Sequence, residues 1–167
     1  MPTTSKPRKK YKPKPQLTNP LGYVLEGMET VRSRADHMLK FKIKNSAALL
    51  ALMRGNATKQ DMNILVAVSN MTETLCSMGF GKEYSAVAVD GREAILKIIF
   101  RAVDKLKFVP TGPEITAVRE LVELHEQQMG VITIAEMDKA IALADKQLRA
   151  KKNVIRLPEI NGVPDAG

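Results

Sequence analysis

Past residue 44 the chain reads as amphipathic helices separated by short breaks. Lys44 to Arg54 predicts a helix stopped by Gly55. Thr58-Lys-Gln-Asp61 approximates a capping box and opens a long helix to about Met78. Its apolar stripe is Ile64, Val68, Met71, Leu75 and Met78. Gly79-Phe80-Gly81 breaks it. The next helix runs from about Lys82 to Phe108, with Tyr84, Ala88, Ile95, Ile98, Ile99, Ala102, Val103 and Leu106 on its apolar face and a bend expected at Gly91. Val109-Pro110 ends it. Thr111-Gly-Pro113-Glu114 is a full capping box with Pro in the first turn. The helix it starts buries Ile115, Val118, Leu121, Val122, His125 and Met129 and stops at Gly130. Thr133-Ile-Ala-Glu136 is a second full box, before a last helix carrying Ile134, Met137, Ile141, Ala144 and Leu148.

Upstream the pattern weakens. Asn19-Pro20 marks the start of a short helix to about Met28, weakened by Gly22 and Gly27. Lys40-Phe41-Lys42-Ile43-Lys44 alternates basic and apolar, which is strand periodicity. Extended, it would hold Lys40, Lys42 and Lys44 on one side about 7 Å apart, with Phe41 and Ile43 toward the core. The reading is an all-α bundle of five to six helices over residues 19–153, a disordered basic arm over 1–18, and a tail over 154–167 that packs locally through Ile155 and Leu157.

Composition sharpens this. The apolar share is 44% but aromatics are 4%, so the core is built from Leu, Ile, Val, Ala and Met. The single Cys76, on an apolar helical pattern, reads as a small buried hydrophobe in a reducing, cytoplasmic setting. No signal-like apolar segment follows the basic start, and the longest apolar run, Ala47–Met53, is far short of a bilayer span. No membrane association is expected.

Charge changes the picture most. The net charge is +8, and residues 1–20 hold six of those charges with no acid. They are Lys6, Arg8, Lys9, Lys10, Lys12 and Lys14, spaced by Pro7, Pro13 and Pro15 in a backbone that resists helix. A nearly neutral body wearing a cationic arm points to a polyanion. Further basic groups are the segment 32–44 at a local +4, the stripe Lys97, Arg101 and Lys105, and the end of the last helix at Lys146, Arg149, Lys151 and Lys152. Pairs such as Glu93–Lys97 and Asp145–Arg149 account for helix stripes as solvated faces. They do not account for the arm.

Catalytic patterns fail on particular residues. His125-Glu126-Gln-Gln-Met129 begins like a zinc protease signature, but Met129 stands where the second imidazole is required. His125 reads as a core residue and His37 as a surface one. Gly79-Phe-Gly81-Lys82 lacks the Gly, the Ser or Thr and the preceding strand of a phosphate loop. Two helix-turn-helix alignments, around Gly55 and Gly130, put Asp61 and Glu136 where apolar anchors belong. No metal or cofactor is implied and the protein is expected not to be an enzyme.

The arm resembles, in composition alone, those of small bacterial and prophage proteins, and Lys9-Lys10-Tyr11-Lys12 resembles a nuclear import signal that would act only in a eukaryote. The first functional expectation is a non-catalytic, regulatory nucleic-acid-binding protein, DNA slightly preferred over RNA, with a homodimer allowed. The phosphate contacts would come from the six arm cations, then Lys40, Lys42, Lys44, Lys97, Arg101 and Lys105. The alternative is an adaptor whose arm docks on an acidic protein and whose bundle offers a Met-rich groove.

Overall fold

The computed structural model describes residues 25, 27–31, 35–152, 154–160 and 162–165, with the side chains of 35 and 37 left out. The predicted arm, residues 1–18, and the His37 side chain therefore lie outside the described residues. Five α-helices follow in order among those described. They are α1 (Ala35–Met53), α2 (Lys59–Ser77), α3 (Ser85–Lys105), α4 (Gly112–Val131) and α5 (Ile134–Ala150), with a 3-10 turn over Lys82–Tyr84 before α3. The fold is all-α.

Local chemistry accounts for the starts. The Thr58 hydroxyl accepts from the Asp61 N–H at 3.2 Å, and the Asp61 carboxylate accepts from the Thr58 N–H at 2.9 Å. The same reciprocal pair closes at Thr111 with Glu114 and at Thr133 with Glu136. Asp61 and Glu136 thus occupy the third positions of their helices. This is why an acid stands where a helix-turn-helix would need an apolar anchor.

Residues 40–44 are helical, not extended, and belong to α1. Lys, Ala and Leu are good helix formers, and the Ala/Leu run from Ala47 to Met53 carries the helix back through them. Phe41 and Ile43 accordingly do not face the core together, and both are exposed, at 49% and 59%. The inner face of α1 is Asn45, Ala48 and Leu52. The predicted helix at Lys82 begins as the 3-10 turn and becomes α only at Ser85. Its outer residues Tyr84, Val103 and Leu106 are exposed.

α2 is the central helix, packed against all four others. A stripe cannot serve four neighbours, so Met62, Leu65 and Val66 are buried beside the predicted Val68 and Leu75. Ser69, Asn70, Thr72 and Thr74 are buried with them. α3 and α4 form the most extensive pair. Gly91 lies inside the unbroken run of α3. It lets α4 approach, since a Cβ at 91 would lie 2.6 Å from Cβ of Leu121.

The two ends of the described chain are tied in. Leu25, Gly27 and Met28 are helical, where the short first helix was expected. Beyond them the Val31 N–H donates to the Ile132 carbonyl at 3.0 Å and the Ile134 N–H to the Glu29 carbonyl at 2.8 Å. Residues 154–165 are more than a locally packed tail. Ile155, Ile160 and Val163 are buried in the main core. The Asn70 amide brackets the Ile155 backbone, donating to its carbonyl at 3.0 Å and accepting from its N–H at 2.8 Å. The first N–H groups of α2, at Lys59 and Gln60, donate to the carbonyls of Pro164 and Asp165.

Candidate nucleic-acid interface

α1 carries Lys40, Lys42 and Lys44, and all three are exposed. At 100° per residue Lys40 and Lys44 fall one turn apart on one side of the helix and Lys42 on the other, so the three do not form one row. Lys42 pairs with Glu126 of α4 at 3.0 Å. Lys40 and Lys44 have no ion pair among the described residues.

The α3 stripe divides. Lys97 lies 4.0 Å from Glu93 in the expected one-turn pair, exposed on both sides. Lys105 is exposed near the helix C-terminus, where a cation suits the backbone dipole. Arg101 is different. Its guanidinium donates to both Glu114 oxygens at 2.9 and 2.6 Å and to the Val109 carbonyl at 2.6 Å. Glu114 is 8% exposed, and these bonds, helped by the Thr111 N–H, hold its carboxyl down at about 2 despite burial. Arg101 is therefore a latch between α3 and the start of α4, with its donors turned inward. The sequence signal for this was Glu114 itself, a capping acid whose second oxygen edge needed a partner.

α1 and α3 pack on α2 and α4 and have at most a marginal contact with each other, so the structure does not join their lysines into one patch. Lys146, Arg149, Lys151 and Lys152 are exposed at the end of α5. The expected Asp145–Arg149 pair does not form.

The remaining chemistry-bearing residues are packed. His125 is 7% exposed, and burial pushes its pKa down to about 4, so it is neutral in the core with Nδ1 unbonded. Burial also raises the Cys76 thiol, which donates to the Gly81 carbonyl at 3.5 Å and accepts from the Gln128 amide at 3.3 Å. Gly79 and Gly81 hold left-handed backbone, φ +103° and +69°, in a turn closed by the Gln128 amide on the Phe80 carbonyl at 2.8 Å. No three His, Cys, Asp or Glu side chains among the described residues form a metal cluster. A cleft of about 460 Å³ between α2, α3 and α5 is crossed by the Arg92–Glu73 pair. A smaller, mostly apolar cavity of about 210 Å³ is lined by Met71, Met129 and Met137 together with Phe41, His125 and Lys44. No helix among the described residues is long and apolar enough to cross a membrane. Comparison of the chain with known protein families, curated proteins and solved structures returned no match.

Proposed function

We propose that the protein binds nucleic acid without catalysing a reaction on it, and that the arm makes the phosphate contacts. The observation that carries this is the arm's charge pattern. Six cations lie among residues 6–14, with no acid in the first twenty residues, ahead of a body of net +2. Lys40, Lys44 and Lys105 are exposed, have no ion pair among the described residues, and add separate cationic points on the body. Arg101 takes no part, because its guanidinium already serves Glu114.

The mechanism is release of condensed counterions, which is blind to base sequence. Log K should fall with log salt at a slope of roughly −4 to −5 on duplex DNA, for about four to six contacts at about 0.9 each. A titration with labelled duplex DNA and single-stranded RNA over a salt series measures it. Replacing the six arm cations with Ala should remove most of the slope. Replacing Lys40, Lys42 and Lys44 should remove a smaller share. Absence of binding by the full chain at low salt would overturn the proposal. A second reading, a protein-interaction role, is favoured by one observation, the exposed apolar side chains Leu39, Ile43, Leu50 and Met53 along α1.

A further inference from the structure

We infer that the outer face of α1 is a docking ridge for an acidic amphipathic helix of another protein. The inference does not rest on the nucleic-acid reading. Leu39, Ile43, Leu50 and Met53 are 58%, 59%, 43% and 46% exposed. With Ser46 between them they follow one another at steps of four, three, four and three residues. On an α-helix this places all five within about 80° of arc. That is the narrow seam by which one helix packs on another, with the small, exposed Ser46 allowing close approach at its centre. The opposite face, Asn45, Ala48 and Leu52, is already committed to the core, so α1 presents this ridge on a fixed support.

Charge selects the occupant. Lys40 and Arg54 flank the ridge on one side, with Asp36 at its start, and Lys42 on the other side is already paired with Glu126, so among the described residues Lys40 and Arg54 are the flanking cations without an ion pair. Such flanks favour acids on an incoming helix at the positions beside its own apolar seam. They disfavour a second copy of this chain. Paired antiparallel along the ridge, Lys40 of one copy would lie beside Arg54 of the other. Paired in parallel, the lysines at 40, 42 and 44 of both copies would crowd one end. The chain's own arm is a poor occupant too, since residues 1–20 hold six cations and no acid. A lipid surface suits a broad apolar face, whereas this ridge is narrow and holds no aromatic residue, Phe41 lying on the far side of the helix.

The test uses the full chain and a labelled 21-residue helical peptide with Leu along one seam and Glu beside it. A sister peptide carries Lys in place of Glu. The acidic peptide should bind at least tenfold more tightly than the basic one. The double variant Leu39→Ser, Ile43→Ser should weaken it tenfold or more with an unchanged melting temperature, as both sites are exposed. A variant with the six arm cations changed to Ala should keep most of the binding, which separates ridge docking from attraction to the arm. Equal binding of both peptides, or no loss in the double variant, would overturn the inference. So would concentration-dependent dimerisation abolished by the double variant, which makes a second copy the occupant. Binding to phosphatidylserine vesicles that depends on Leu39 and Ile43, with no peptide binding, would assign the ridge to a lipid surface instead.

Discussion

Two buried titratable residues set how this protein responds to acid, and they act in different pH windows. Glu114 has its folded pKa held near 2 by Arg101, below the ordinary 4.5. The unfolded chain takes up the proton first, so its stabilisation is present above about pH 4.5 and is lost as pH falls toward 2. His125 has its folded pKa lowered by burial from 6.5 to about 4. Between those values the unfolded state is protonated and the folded state is not, so stability declines as pH falls from 6.5 to 4. Each shift is worth about 3 kcal/mol across its window, as stabilisation lost at Glu114 and as a protonation cost incurred at His125. Urea midpoints measured against pH should therefore fall in two stages. His125→Met should flatten the upper stage, and Glu114→Gln should flatten the lower one while costing about 2 kcal/mol at pH 7 through loss of the latch. An unchanged upper stage in His125→Met would refute the neutral, buried imidazole.

At the scale of the elements, the α3–α4 pair depends on one absent methyl group. Gly91 sits mid-helix, where Ala is intrinsically better by about 1 kcal/mol. The added Cβ, however, would meet Cβ of Leu121 at 2.6 Å, an atom held by its backbone rather than the free end of a side chain. Overpacking of this kind costs about 1–3 kcal/mol, so Gly91→Ala should lower the urea midpoint in spite of its helix propensity. An increase would show that α4 can move aside. α1 teaches a related lesson. Its Lys-apolar alternation has strand period, but helix propensity and the buried Ala48 and Leu52 one turn apart decide its conformation.

At the scale of the whole molecule, the C-terminal segment is part of the core. Residues 154–165 put Ile155, Ile160 and Val163 into the main core and supply carbonyls to the start of α2. Removing residues 154–167 should lower stability by several kcal/mol, at about 1.5–3 kcal/mol for each large buried side chain uncovered. Removing residues 1–18, which offer the core almost no apolar surface, should leave the melting temperature nearly unchanged. Thermal unfolding of the two truncated chains followed by circular dichroism makes the comparison. Equal losses would contradict it.

The sequence by itself determined what depends on neighbours along the chain. Capping boxes at Thr58, Thr111 and Thr133, apolar positions at helical spacing, and the packed Cys76 and His125 were legible because caps and periodicity act within a few residues. The concentration of charge in residues 1–20 was legible for the same reason. Tertiary structure decided what depends on elements meeting. It made α2 central, so that polar Ser69, Asn70, Thr72 and Thr74 share its burial with the apolar residues. It turned Arg101 from a member of a cationic stripe into the partner of Glu114, thirteen residues away, and Asn70 into a clamp on Ile155, eighty-five residues away. It also left Leu39, Ile43, Leu50 and Met53 exposed, because α1 has two apolar faces and the described residues of the bundle supply neighbours for only one.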